Sequence, residues 1–300
     1  MNASESDSTG MPAELLPIRE VARLTGVNPV TLRAWERRYG LVQPQRTPKG
    51  HRLYSSAQVA RIQVVLTWLE RGVAVGQVKA LLNQPAPAEP ATSSLWSEQQ
   101  TLLIGAVEQL AESVLDEHVN HAMALYPPAT LYQQLLLPLL NALEQRWYRQ
   151  PNATLEQGFF YTWLRTKLST RIYHTNRLCS GKPLLLINLD VMPMAPEFWL
   201  CAWLASSADF PLQVIDWPLA AADLGVAMNH LEPCAVLLYG SRKLEPEQLD
   251  WLQEANALRL LCGRAACFHQ TGLSGERLHL IEDPLAAVQT LQRLCRPDHS

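Results

Sequence analysis

Apolar side chains recur along this chain at two different periods, and the change from one to the other divides it. Near the N-terminus Ile18, Val21, Ala22 and Leu24 return at helical spacing and predict a helix over residues 18–27 with these four on its inner side. Gly26 supplies a tight turn, Asn28 an N-cap and Pro29 a first helical residue whose missing N–H costs nothing. A second helix is then expected over 30–39, with Leu32 and Trp35 inward and Thr31, Arg33, Arg37 and Arg38 outward. Residues 41–44 and 51–54 can pair as two strands around Thr47-Pro48-Lys49-Gly50. Ser55-Ser56-Ala57-Gln58 reads as a capping box opening a third helix, with Val59, Ile62, Leu66 and Leu69 inward. Gly72 ends it, and 75–82 forms a fourth.

Residues 84–97, QPAPAEPATSSLWS, hold three prolines and no apolar period, the pattern of a linker. From about 96 to 178 helical spacing resumes, as in Leu131, Leu135, Leu139 and Leu143. Breaks at Tyr126-Pro127-Pro128 and Gln150-Pro151-Asn152 fit four short helices, the third bent at Pro138. After Ser180-Gly181-Lys182-Pro183 the runs become short and wholly apolar, at 184–189, 212–217, 235–239, 258–262 and 278–281. Helix-length segments such as 197–206, 246–255 and 284–294 separate most of them. This alternation predicts a parallel sheet with flanking helices. The fold class expected is multidomain α plus α/β. A helix-turn-helix with a β-wing comes first, then a helical bundle, then a Rossmann-like (flavodoxin-like) parallel α/β domain. The boundaries expected are a disordered tail over 1–15, the head over 16–83, the linker over 84–97, the bundle over 98–179 and the α/β domain over 180–300.

Charge sharpens the picture. The 300 residues carry a net charge of −3, yet residues 17–84 hold eleven Lys/Arg against three acids, +8, and the remainder is −11. A compact basic module on an acidic body implies a polyanionic partner engaged through one end. Hydrophobic residues make up 48% of the chain, so a sizeable core is expected, but no run approaches a membrane span. The polar, acidic start MNASESDSTGMPAE lacks the features of a signal peptide, and a cytoplasmic location is expected. Six cysteines without a CxxC pair (Cys179, Cys201, Cys234, Cys262, Cys267 and Cys295) read as reduced core residues. Glu117-His118-x-x-His121 puts two histidines at i, i+3 but offers no third ligand nearby, so it reads as a surface pair rather than a metal site. No P-loop, GxSxG or paired-carboxylate pattern suggests an enzyme, and Gly263 in Gly263-Arg264-Ala265-Ala266 is a lone glycine.

The stretch TLRAWERRYGLVQPQRTPKGHRLYSSAQVARI resembles the winged helix-turn-helix of the MerR family, over roughly residues 16–82. The resemblance implies that Thr31, Arg33, Arg37, Arg38 and Tyr39 approach the major groove and its phosphates. It further implies that Arg46, Lys49, His51, Arg52 and Tyr54 hold the flanking backbone from the wing, with Trp35 and Leu53 in the core. A homodimer on promoter DNA and a meeting with RNA polymerase there follow from the same likeness. Residues 98–295 resemble, less closely, the cobalamin-binding module of the CarH/LitR light-responsive regulators, and more so the MlrA-type regulators of the same layout. In cobalamin-binding members a Trp is followed by Glu-His after nine residues. Here Trp147 is followed by Gln157-Gly158, with Glu156 one place early. The loop after the first strand should hold the histidine that binds cobalt. Here it reads Asp190-Val191-Met192-Pro193-Met194, and no histidine occurs between His174 and His230. The expectation is therefore no cofactor, and a body that serves dimerisation and input from a signalling protein. Within the resembling family such partners include a diguanylate cyclase or a flavin photoreceptor. A regulator that still senses cobalamin, light or a cyclic nucleotide is the alternative, and a cobalamin carrier or enzyme the remote one.

Overall fold

The computed structural model describes residues 15–82, 94–150, 153–190, 195–208, 210–254 and 257–295. Nearly all of the expected N-terminal tail, most of the expected linker, and residues 191–194, where the sequence predicts a loop, lie outside the described residues. Contacts divide the chain into two units, one of residues 1–105 with 113–139, the other of 106–112 with 140–300.

In the first unit, β1 (Leu16–Pro17) leads into α1 (Ile18–Thr25), which Gly26 closes at φ 70° by donating its N–H to the Ala22 carbonyl. Leu24 is 48% exposed, which corrects the expected inner face. At about 100° per residue, Ile18, Val21, Ala22 and Thr25 define the packed arc, and Leu24 falls about 110° from its centre. Next come α2 (Pro29–Ala34), a π-helical turn (Trp35–Tyr39), β2 (Gln45–Arg46), β3 (Arg52–Tyr54), α3 (Ser56–Glu70) and α4 (Val75–Leu81). The wing strand sits at 45–46 rather than 41–44, because Leu41 and Val42 are drawn into the core. β1 also pairs with β3, giving an antiparallel sheet of order β1-β3-β2 that the sequence did not announce. The Ser55 hydroxyl caps α3 through the Gln58 N–H, but the Gln58 side chain accepts from the Gln43 N–H instead of closing a capping box.

The same unit takes in α5 (Ser94–Glu108) up to residue 105, α6 (Glu112–Leu125) from 113, α7 (Pro128–Leu131) and a second π-helical turn (Tyr132–Leu136). That turn stands just ahead of Pro138, whose missing N–H removes a rung of the helix ladder and frees the turn to widen. Leu125 belongs to the core of the head, with Trp35, Leu32, Ile62 and Trp68.

In the second unit, α8 (Leu137–Arg149) from residue 140 and α9 (Thr154–Asn176) precede the sheet. At 23 residues α9 is longer than the short helices expected. β4 (Leu184–Asn188), β5 (Leu212–Ile215), β6 (Ala235–Tyr239), β7 (Arg259–Cys262) and β8 (Leu278–Ile281) run parallel in the order β5-β4-β6-β7-β8. The inner strands β4, β6 and β7 are buried along their whole length, as helices on both faces require. The helices are α10 (Pro196–Ser207), α11 (Ala221–Leu231), α12 (Pro246–Glu254), α13 (Arg264–His269) and α14 (Pro284–Cys295). α10 is buried on nearly every side, so it carries no polar face. Of the six cysteines only Cys201 and Cys262 are fully buried, and Cys267 is exposed, which corrects the reading of all six as core. No described helix is long and apolar enough to cross a membrane.

Candidate nucleic-acid interface

The second helix of the head is anchored before it is exposed. The Asn28 carbonyl oxygen Oδ1 accepts from the Val30 and Thr31 N–H groups, both at 2.9 Å, and Pro29 occupies the first turn. On its inner side Leu32, Ala34 and Trp35 are buried, and the Trp35 indole N–H donates to the Leu125 carbonyl at 2.9 Å. The π-helical turn ends at Gly40, φ 59°, whose N–H returns to the Trp35 carbonyl. Between these anchors Arg33, Arg37 and Arg38 stand exposed on one short stretch of backbone.

Two expected contact residues are elsewhere. Thr31 is fully buried, its hydroxyl donating at 3.4 Å to the Ala124 carbonyl on α6, so it faces protein and not a groove. Tyr54 is fully buried as well, because the alternation of β3 turns it into the head. Burial raises its phenol pKa, with the Glu36 carboxylate adding to the rise. Tyr39 is half-buried and packs on the head core.

The wing turn is held by three bonds: Thr47 N–H to the His51 carbonyl, Gly50 N–H to the Thr47 carbonyl, and His51 N–H to the Thr47 hydroxyl. Gly50 adopts φ 81°, a conformation that glycine tolerates without strain. Lys49 and His51 project from this turn into solvent. Arg46 and Arg52 behave differently. Both reach back to Glu36 on the π-helical turn, Arg46 Nη2 at 2.7 Å from Oε1 and Arg52 Nε hydrogen-bonded to Oε2. Arg52 is 17% exposed, Glu36 14% and Arg46 50%. Burial pushes the Glu36 carboxyl pKa up, but the hydrogen bonds and charges of Arg52 and Arg46 outweigh it and leave the group below its ordinary value. Sequence reasoning missed this carboxylate, although an acid between Arg33 and Arg37 was a visible signal.

At the C-terminal ends of β4 and β6, where the strand order reverses, a doubly wound sheet ordinarily takes a ligand. Here the Asn188 amide donates to Asp216 Oδ1 at 2.9 Å, and the Trp199 indole donates to Asp216 Oδ2 at 2.9 Å. The Asp190 carboxylate accepts from the Ser241 N–H. A Cβ on Gly263 would stand 2.6 Å from the Gly240 carbonyl oxygen, so the turns after β6 and β7 touch through their backbones. On the helices preceding the sheet, Trp147 donates to Glu156 at 3.2 Å and Tyr161 donates to Glu144 at 3.1 Å.

The model of the MerR HTH family regulatory protein matches residues 16–85. The HTH-type transcriptional regulator MlrA of Salmonella typhimurium is 34% identical over 202 residues, which is 67% of this chain and 79% of that protein. MlrA of Escherichia coli K12 is 32% identical over the same shares. The HTH-type transcriptional repressor CarH of Myxococcus xanthus is 33% identical over 171 residues, 52% of this chain and 56% of that protein. The chain therefore belongs to the MerR family of helix-turn-helix transcriptional regulators, and within it to the MlrA-like proteins.

Proposed function

We propose that this regulator reads double-stranded DNA through Arg33, Arg37 and Arg38, with Lys49 and His51 of the wing on the flanking phosphates. The observation that carries the reading is the row of three exposed guanidinium groups on a helix fixed at both ends, beside a cationic turn. An Arg can pair with guanine O6 and N7 in bidentate fashion, whereas turn cations serve mainly to neutralise phosphates. Arg46 and Arg52 take a positioning part through Glu36, and Tyr39 stays at the edge of the interface. A two-fold DNA site calls for a homodimer, acting at promoters with RNA polymerase in the cytoplasm.

The body serves, in this reading, as a dimerisation and protein-docking unit that takes its signal from another protein. A diguanylate cyclase or a flavin-binding photoreceptor is the kind of partner meant. Cobalamin does not fit the residues present. The resembling cobalamin-binding proteins would hold cobalt through an imidazole after the first strand of the sheet, and this chain has no histidine between His174 and His230. The polar groups described there, Asn188, Asp190 and Asp216, are engaged with neighbours inside the domain. The division into head, linker, bundle and α/β domain set out from the sequence is retained as the functional one.

The test has two arms. Selection of duplexes from a random library by the purified protein, followed by footprinting, is expected to return a two-fold motif. Recovery of no preferred sequence would overturn the DNA reading. Incubation with adenosylcobalamin in the dark, then desalting, is expected to leave a colourless protein whose oligomeric state ignores light. Retained pink cofactor would overturn the account of the body.

A further inference from the structure

We infer that Glu36 is a specificity-determining residue, one that holds Arg46 and Arg52 away from the phosphates and thereby restrains binding to unrelated DNA. The inference rests on the proposed DNA-binding reading and deepens it.

Glu36 lies on the same turn as Arg37 and Arg38, yet its carboxylate points to the wing and not to solvent. Each of its oxygens is taken by a different strand, Oε1 by Arg46 of β2 and Oε2 by Arg52 of β3. A carboxylate accepting from two guanidinium groups takes up N–H donors of the kind that would otherwise be offered to a phosphate. Two consequences follow from that one placement. The wing is fixed at a set distance from the arginines of the helix, so both contact sets meet DNA in one register. One unit of the head's positive charge is also offset internally and two guanidinium groups are held on the carboxylate, which lowers the sequence-independent part of the affinity. Arg33, Arg37, Arg38 and Lys49 form no ion pair among the described residues, so the difference between the groups is built into the fold.

A strut of purely structural value would behave differently. Its loss would weaken binding to every duplex in parallel with stability. Release of a restraint makes binding to unrelated DNA stronger, and only the second effect steepens the dependence on salt.

The experiment measures fluorescence anisotropy of the full chain with two labelled duplexes, one selected by the wild type from a random library and one of unrelated sequence, across a potassium chloride series. Glu36→Gln is expected to bind the unrelated duplex about 3–10 times more tightly at low salt. The slope of log K against log salt should steepen by about 1–2, and selectivity should fall about tenfold. Glu36→Asp, which keeps the charge, is expected to stay within about half a unit of the wild-type slope. Arg46→Ala, a half-exposed position with little risk to folding, should change the slope by less than about half a unit, because its guanidinium is held on Glu36. A parallel loss on both duplexes at constant slope, or a fall of about 0.9 in slope for Arg46→Ala, would overturn the inference. Failure of the wild type to prefer any sequence would count instead against the DNA reading itself.

Discussion

The backbone N–H of Ser241 donates to both carboxylate oxygens of Asp190, at 2.9 and 3.1 Å, and so ties the turn after β6 to the end of β4. The tie crosses the place where a doubly wound sheet would open for a ligand. Hydrogen bonds to a charged acceptor contribute about 1.5–3 kcal/mol each. Asp190→Ala is thus expected to lower the stability of the α/β region by about that amount, read as a shift in urea midpoint. An unchanged midpoint would show that the tie is idle.

Glu197, near the start of α10, gives a pH dependence whose sign follows from its burial. Burial pushes its carboxyl pKa above 4.5, and Glu144 and Asp190 add to the rise. The unfolded chain therefore releases this proton at lower pH than the folded one does. Stability associated with the group is intact below about pH 4.5 and falls as pH rises through the folded value. Glu197→Gln is expected to raise the urea midpoint at pH 7.5 and to leave it unchanged near pH 4. A variant equally or less stable at both values would refute the assignment.

Leu125 lies far along the chain from the helix-turn-helix, yet it belongs to the head's own core. Truncation of a buried leucine costs about 2–5 kcal/mol. Leu125→Ala should destabilise the head and weaken DNA binding, although the residue touches no proposed contact. Hydrogen exchange of the amides of α2 would report this directly, and protection equal to wild type would contradict it.

Arg33→Ala and Arg37→Ala are expected to cost about 1–3 kcal/mol on the selected duplex and far less on an unrelated one. Lys49→Ala should weaken both alike and lower the salt slope by about 0.9. If all three variants bind the selected duplex as wild type does across a salt titration, the interface lies elsewhere.

What could be read from the sequence was what neighbours in the sequence determine. Gly26, the Asn28-Pro29 start and the Thr47–Gly50 turn each act on residues within four positions, and each has the local geometry expected. The apolar runs gave the inner strands β4, β6 and β7 to within one residue, because a strand buried on both faces must be apolar throughout. Thr31 was misread because its partner, the Ala124 carbonyl, is 93 residues away. Arg52 looked like a free wing cation because its carboxylate partner is on a different element, 16 residues earlier. Leu24 failed for a smaller reason. On a helix of eight residues a single apolar side chain can miss the packed arc without breaking the period.

The bond from Trp35 to the Leu125 carbonyl spans 90 residues, and that length sets a schedule for synthesis. A ribosome adding about 5–20 residues per second needs roughly 5–20 seconds to deliver α6 after the second helix of the head has been made. Until then the Trp35 indole lacks its carbonyl partner and the inner face of the second helix lacks Leu125. The helix-turn-helix head, made before α6, is completed only when the helices behind it have emerged.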